Sequence, residues 1–266
     1  MYDFAYHKPS SVSDAVAALQ GAEDGTVIAG GMTLIPTMKQ RLAQPSDLID
    51  LSGIGDLKGI SVSGGTVTIG AMTTHAAVAN SADVQKAIPA LAHLAGHIGD
   101  AQVRNRGTIG GSIANNDPTA CYPSACLALG ATIKTDSREI PAEEFFDGMF
   151  STALEEGEMV VAVSFPIPEK AAYIKFPNPA SRYALVGVFA AKTADGARVA
   201  VTGAGEGGVY RATELEGPLS SNFSADAIKD VKLSADGLNS DIHASAAYRA
   251  HLVGVMARRA VEAANA

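Results

Sequence analysis

The 266-residue sequence predicts an α+β fold in three pieces. Helix and strand signals alternate in the first piece, a hairpin signal precedes a long helical stretch in the second, and strand signals return in the third. Pro166 and Pro168 indicate a linker before the last piece. We therefore expect the pieces at residues 1–54, 55–170 and 171–266.

The first piece has the signals of a small unit of the βαβ type. Ser11 can cap a helix whose apolar residues follow the helical spacing and which ends at Gly21. Short strands are predicted at Thr26–Ala29 and Leu48–Leu51, with a second helix between them.

The second piece begins with a predicted hairpin, formed by Gly59–Val62 and Val67–Ile69 around a Ser-Gly-Gly-Thr turn. Helical patterns then run from His75 to Ile98. We expect the glycine-rich segment 104–118 to interrupt them as a loop. A strand at Met159–Phe165 completes this piece.

The third piece alternates predicted strands, at Leu185–Lys192 and Arg198–Thr202, with helices. A closing helix is predicted over residues 248–259, where apolar side chains recur at helical spacing. We expect Arg249 and Arg258 on the solvated side of this helix.

Charge and composition exclude several classes of protein. The net charge is −8 and no basic run is present, so nucleic-acid binding is not expected. We find no secretory signal and no apolar run near the roughly 18–20 residues that span a bilayer, so we expect a cytoplasmic protein without a transmembrane segment. Cys121 and Cys126 are too few for a disulfide framework or an iron–sulfur cluster, and the histidines show no set of metal ligands.

The first candidate functional segment is Ala29–Thr33, which pairs two glycines between a predicted strand and a predicted helix. Holding a diphosphate needs backbone N–H groups that point into one concavity. Glycine permits the positive φ angles of such a loop and allows close approach of a ligand. A tight turn without any ligand is the alternative.

The second candidate segment, Thr108–Ser112, repeats this composition and is followed by the polar run Asn115–Asp117. A bulge or a helix cap is the alternative for this segment. Neither segment is a Walker loop, because no Gly-Lys-Ser/Thr follows, and neither has the Rossmann glycine spacing. Together they predict a site for a diphosphate, and the residues alone do not identify which one.

These segments resemble those of the FAD-binding medium subunit of molybdenum hydroxylases, as in carbon monoxide dehydrogenases and the flavin domain of xanthine dehydrogenases. The runs AGGMTLIPTMKQRLAQPSDLIDL, IGDAQVRNRGTIGGSIANNDP and KFPNPASRYALVGVFAA carry a resemblance that extends through nearly the whole chain. It implies two N-terminal α/β subdomains that hold FAD, of the kind found in vanillyl-alcohol-oxidase-like flavoproteins. It also implies a C-terminal antiparallel sheet with helices that covers the flavin.

The resemblance implies a set of cofactor-binding residues. The two glycine segments would hold the pyrophosphate, Asp117 would contact polar groups, and Ile98 and the strand at Val160 would pack near the nucleotide. Lys175 and Tyr183 match positions beside the isoalloxazine, where an ammonium can favour the anionic reduced form and a ring can stack. The full expected set is Ala29, Gly30, Gly31, Met32, Thr33, Ile98, Thr108, Ile109, Gly110, Gly111, Ser112, Asp117, Val160, Lys175 and Tyr183, with no catalytic residue and no metal ligand on this chain.

Some of these positions admit a second interpretation. Tyr183 could be an ordinary core aromatic, and Lys175 a solvated charge. Cys121 stands where many relatives carry an acidic residue, so a contact to cofactor hydroxyls would be lost or replaced here. Met32 stands where relatives often have a polar residue, and the backbone donors would remain.

Arg104 and Arg106 also have two interpretations. They could neutralise part of the diphosphate or dock a partner, or they could be structural arginines held by carbonyls.

The resemblance implies a division of labour among subunits. A large subunit with a molybdenum cofactor would oxidise the substrate, and a small subunit with [2Fe–2S] clusters would relay the electrons. This chain would receive them on FAD and pass them to an external acceptor, in a dimer of heterotrimers. The alternatives are a self-sufficient FAD oxidoreductase with its own substrate pocket and a fold relative that has lost FAD.

Overall fold

Three separate β-sheets account for the strands of the computed structural model, which describes residues 1–266. The first sheet has three parallel strands, with β3 between β1 and β2. Its elements are β1 (Ala5–His7), α1 (Val12–Gly21), β2 (Gly25–Ile28), α2 (Leu34–Lys39) and β3 (Asp47–Asp50).

Helix α1 begins where the sequence predicts it. The Ser11 hydroxyl accepts a hydrogen bond from the Asp14 amide at 3.1 Å and so satisfies one free N–H of the first turn. Ala15 on this helix packs against Ile49 of β3 in a small apolar cluster. The predicted βαβ-type unit is therefore confirmed.

The second sheet has five antiparallel strands in the order β4-β5-β8-β6-β7. The predicted hairpin is confirmed as β4 and β5, and β8 pairs with β5 although a long stretch of chain separates them. The elements are β4 (Ile60–Ser63), β5 (Thr66–Gly70), α3 (His75–Asn80), α4 (Ala82–Ala87), α5 (Pro89–Gly96), α6 (Ala101–Arg106), α7 (Ile109–Asn115), α8 (Tyr122–Leu129), β6 (Thr132–Thr135), β7 (Glu139–Pro141), α9 (Ala142–Phe145) and β8 (Val160–Pro166).

The glycine-rich segment 104–118 is not the predicted loop, because α6 ends in it and α7 lies within it. Thr108 is the N-cap of α7, and its hydroxyl accepts a hydrogen bond from the Gly111 amide at 3.2 Å. The cap stabilises the helix although glycine is a poor helix former. The helix-cap alternative is therefore the one that the structure shows.

The third sheet has four antiparallel strands in the order β12-β11-β10-β9. Its elements are β9 (Lys170–Pro177), β10 (Ala184–Thr193), β11 (Gly196–Gly205), β12 (Gly208–Arg211), α10 (Thr213–Ser221) and α11 (Ala246–Asn265). A short connection lies where the linker is predicted, since β8 ends at Pro166 and β9 begins at Lys170.

Both faces of the third sheet are covered. On one face, α11 packs Leu252 and Met256 against apolar residues of β10 and β11. On the other face, Tyr173 and Phe189 belong to the same apolar core as Tyr122 of α8. The second and third pieces therefore share one core, and the expected piece boundaries stay a prediction.

The predicted position of Arg249 on the solvated side of α11 is wrong, because its side chain is buried. Its guanidinium donates to the carbonyls of Leu185 and Gly203 at 2.7 and 2.9 Å and to the Asp241 carboxylate at 2.7 Å. These acceptors offset the cost of burying the charge. Arg258 is partly exposed. None of the helices combines the length and apolar character needed to cross a membrane.

A cavity at the glycine segments

A cavity of about 660 Å³ is lined by residues from all three pieces. Apolar side chains make up about half of the lining, and glycines, hydroxyl residues and single charged groups make up most of the rest. This volume and this mixture are typical of a site for a small molecule or a cofactor.

The first glycine segment connects β2 to α2 on the cavity wall. Gly31 has a left-handed φ of +71°, which favours glycine. Gly30 has no such angle, and it is required for a different reason: a Cβ atom there would lie 2.1 Å from the Arg106 carbonyl oxygen. The neighbouring chain therefore leaves no room for a side chain at residue 30.

The second glycine segment forms the first turn of α7. Gly110 lies against the residue that directly follows β5, since a Cβ atom there would be 2.5 Å from the Ala71 Cβ. A Cβ at Gly111 would be 3.6 Å from the Ala29 Cβ, so the two segments are adjacent. The positive φ angles expected for such a diphosphate loop occur at Gly31 but not at Gly30, Gly110 or Gly111.

All of the expected cofactor-binding residues line the cavity except Ile109. The Ile109 side chain is fully buried in the apolar core of the second piece. Successive residues of a helix point in different directions, and in the first turn of α7 Thr108 and Gly110 lie on the cavity while Ile109 turns away.

Lys175 and Tyr183 reach the cavity from the third sheet and the turn that follows β9. Lys175 Nζ donates to the His97 carbonyl at 2.6 Å and lies 3.7 Å from Cys121 Sγ, so it is not a freely solvated charge. The Tyr183 hydroxyl accepts a hydrogen bond from the Asn178 side-chain amide at 2.8 Å. The structure therefore fixes both side chains at the wall.

Two charged residues of the cavity wall have protein partners already. Asp117 Oδ1 accepts from the Thr119 amide at 2.8 Å and from the Thr119 hydroxyl at 2.7 Å. Glu158 pairs with Arg138 at 2.8 Å, and this hydrogen-bonded ion pair is the main cause that lowers the pKa of Glu158 to about 2. Glu158 is therefore a negative charge held in place by Arg138, whereas both hydrogen bonds of Asp117 go to Oδ1 and its Oδ2 accepts none of them.

His75 is a wall residue that the sequence did not single out. Its Nδ1 atom is buried without a hydrogen-bond partner, and a Cβ at Gly107 would lie 2.6 Å from its Nε2. Burial, and after it the nearby Arg104, lowers the pKa of His75 to about 4. The ring is therefore neutral near pH 7.

Other wall residues were also missed, and most of them are neighbours of expected ones. Met159 precedes Val160, and Ser181 and Arg182 precede Tyr183, so their positions follow from adjacent motifs. Met72, like His75, comes from the segment after β5, where no motif marks it.

Arg104 has the structural arrangement rather than the diphosphate one, whereas Arg106 is exposed. Arg104 donates to the carbonyls of Ile98 and Gly99 at 3.1 and 3.0 Å. Neither Arg104 nor Arg106 lines the cavity. A docking role for them stays a prediction.

No three His, Cys, Asp or Glu side chains group closely enough to hold a metal ion. The two cysteines are not joined in a disulfide, and both are buried.

The fold and the cavity indicate a protein that binds a cofactor between its two glycine segments, and comparisons with known proteins agree with this. The family model described as "FAD binding domain in molybdopterin dehydrogenase" matches residues 2–168. The chain therefore belongs to this family, that of the FAD-binding medium subunits of molybdenum hydroxylase complexes, and it is an oxidoreductase subunit.

Relatives that match over nearly the full length support the same assignment. The chain is 36% identical to the carbon monoxide dehydrogenase medium chain of Afipia carboxidovorans, with 99% of this chain and 97% of the relative covered. It is 37% identical to the nicotine 6-hydroxylase medium subunit of Paenarthrobacter nicotinovorans, with 98% and 97% covered. A crystal structure of Cu,Mo-CO dehydrogenase in its cyanide-inactivated form matches with a TM-score of 0.90 at 35% identity, with 98% and 97% covered.

Proposed function

We propose that this chain binds FAD in the described cavity and serves as an electron-transfer subunit. It accepts electrons from a [2Fe–2S] subunit and passes them to an external acceptor. The observation that carries the proposal is the adjacency of the two glycine segments on one cavity, with Gly30 in contact with the Arg106 carbonyl. Membership of a family of FAD-binding domains supports the choice of cofactor.

The residues of the wall fit a flavin nucleotide. The main-chain N–H groups of residues 30–33 donate to no other group of the chain, so they can approach a diphosphate. The N–H groups of Gly110 and Gly111 already donate to the Ala71 carbonyl and the Thr108 hydroxyl, so the second segment offers close approach rather than main-chain donors. Asp117 Oδ2 can accept a hydrogen bond from a cofactor hydroxyl, and Ile98 and Val160 exclude water. The free N–H groups of the first segment on the cavity wall argue against a fold relative that has lost the cofactor.

At the other end of the cavity, Lys175 supplies a positive charge and Tyr183 supplies an aromatic ring. Lys175, fixed by the His97 carbonyl, places a positive charge that stabilises negative charge on a bound ring system. Tyr183, fixed by Asn178, offers an aromatic face for stacking. Bound FAD would supply the capacity to take up and release electrons. We propose no catalytic residue, because the chain's own side chains only bind, orient and exclude water.

The proposed setting is a multi-subunit complex. We infer a large subunit with a molybdenum cofactor, a small subunit with [2Fe–2S] clusters and a cytoplasmic dimer of heterotrimers. The relatives named as medium chains support this inference. We also propose that residues 1–54 and 55–170 are the two FAD-binding subdomains and that residues 171–266 form the C-terminal domain over the flavin.

The test is FAD uptake by the purified full chain. We expect a yellow protein that keeps FAD through gel filtration, with a visible spectrum shifted from that of free FAD. A chain that stays colourless at saturating FAD would contradict the proposal. Purification from the native source should bring iron and molybdenum with the chain, and a metal-free single-chain flavoprotein that oxidises its own substrate would favour the alternative.

A further inference from the structure

The cavity wall carries a thiol that the proposed function does not use. Cys121 lies on the wall directly before α8, with 5% of its surface exposed. Cys126 lies inside the same helix and is fully enclosed. The chain therefore holds one cysteine on the cavity and one matched cysteine away from it.

The Cys121 sulfur has two polar neighbours, Lys175 and Tyr173. Lys175 Nζ lies 3.7 Å from it, and its other contact is the His97 carbonyl. The Tyr173 hydroxyl is buried without a hydrogen-bond partner. Burial, and after it the neighbouring Cys121 thiol, raises the pKa of Tyr173, so its hydroxyl keeps its proton and remains a donor.

Around the Cys121 sulfur, Lys175 on the cavity wall and Tyr173 in the core behind it are both hydrogen-bond donors. A thiol sulfur is a weak acceptor, whereas an ammonium and a phenol are strong donors. An oxygen atom added to the sulfur would accept from both groups. The Lys175 ammonium also stabilises the negative charge that the sulfur carries when it attacks an electrophile.

We propose that Cys121 is an oxidation-sensitive thiol of the cofactor cavity, and that its sulfenic acid and bound FAD exclude each other. The second half of this statement rests on the proposed function. The first half concerns the chain alone, because it needs only access of a small oxidant to the cavity.

The oxidant is hydrogen peroxide, and the reaction is balanced with one molecule of it. The Cys121 thiolate attacks one peroxide oxygen, an S–O bond forms and the O–O bond breaks. The leaving hydroxide takes up the proton that the thiol released and becomes water. The sulfur is oxidised by two electrons to a sulfenic acid, and the peroxide is reduced.

Mutual exclusion follows from shared groups. The added oxygen would engage Lys175, which the proposed function assigns to the bound flavin, and it would take up space on the same wall. In the other direction, a bound flavin would cover the sulfur. Cys126 is outside this competition, because it is fully enclosed and burial raises the pKa of its thiol.

The experiment treats the purified full chain with hydrogen peroxide and traps sulfenic acid with dimedone, before and after FAD is added. Peptide mass spectrometry assigns the adduct. We expect it at Cys121 and not at Cys126, and we expect FAD at about 100 times its Kd to slow adduct formation about a hundredfold. The Cys126→Ala chain should behave like the original, the Cys121→Ser chain should form no adduct, and Tyr173→Phe should shorten the lifetime of the sulfenic acid.

Each outcome decides one part of the proposal. No adduct at Cys121, or equal adducts at both cysteines, would overturn it. An adduct whose rate is unchanged while the visible spectrum shows bound FAD would overturn the mutual exclusion and leave the proposed function intact. A chain that forms the Cys121 adduct but never takes up FAD would overturn the proposed function and not the reactivity of the thiol.

Discussion

The two glycine segments have nearly the same composition, yet their backbones differ. Ala29–Thr33 is a turn in which Gly31 is left-handed, whereas Thr108–Ser112 is the capped start of a helix. In both segments one glycine is required because another part of the chain lies against it, namely Gly30 and Gly110. A glycine pair thus indicates close packing more reliably than it indicates one backbone conformation.

The largest effect is expected at Gly30. In the Gly30→Ala variant the new Cβ would meet the Arg106 carbonyl, a backbone atom that cannot turn away. We expect the first segment to be displaced from the end of α6, with a loss of about 3 kcal/mol in the free energy of unfolding and loss of FAD retention. Denaturant unfolding and gel filtration with FAD measure the two effects.

The matched control for Gly30 is Gly217→Ala in α10, where a Cβ meets no atom within 4 Å. This control should keep FAD and unfold no more easily than the original chain. A Gly30→Ala chain as stable as the control would show that the first segment does not depend on close contact with Arg106.

We expect the buried His75 ring, which packs against Gly107 just before the second segment, to make the free energy of unfolding depend on pH. The first segment has no such histidine on it. The pKa of His75 in the folded chain is about 4, below its usual value of 6.5, so the unfolded chain binds more protons between these values. The free energy of unfolding should therefore fall as pH decreases from 6.5 towards 4, by up to about 3 kcal/mol from this group.

The His75→Gln variant removes this contribution and should show a flatter stability profile over that range. The control is His251→Gln on the exposed side of α11. If the profiles of the two variants have the same slope, His75 is not the buried neutral ring that the structure shows.

A smaller effect distinguishes the backbones of the two segments. Both variants of Gly31 must displace the Ile35 side chain, because a Cβ there would lie 2.6 Å from Ile35 Cδ1. Beyond that shared cost, Gly31→Ala should lose about 1–2 kcal/mol because of its left-handed φ, and Gly31→Asn should lose less, because asparagine tolerates this region better. At Gly111 the order should reverse, since this residue is helical and alanine is the better helix former. Urea unfolding of the four variants tests the comparison, and the same order of alanine and asparagine at both positions would contradict it.

The elements with strong periodic patterns could be predicted from the sequence, and those decided by distant contacts could not. The Ser11 cap and the hairpin of β4 and β5 depend on neighbouring residues. The burial of Arg249 depends on the Leu185 and Gly203 carbonyls, which only the folded chain brings to it. The helix α7 was missed because glycines suggested a loop, and the Thr108 cap outweighed them.

The candidate site shows the same division. Its glycine segments carry motifs specific enough to identify a family, and from there Lys175 and Tyr183 could be placed on the cavity. Ile109 belongs to the same motif but turns to the core, so a motif gives the segment and not the direction of each side chain. His75 has no local signal, because its role on the wall comes from packing against Gly107.

The core shared by the second and third pieces limits how the cavity can open. Tyr173 and Phe189 on the third sheet and Tyr122 on α8 are sealed together away from water. A movement that separated the third piece from the second would expose these apolar side chains to water, which is energetically costly. We therefore expect a cofactor to enter through the opening of the cavity without separation of the second and third pieces. A chain truncated after residue 170 should aggregate rather than fold on its own.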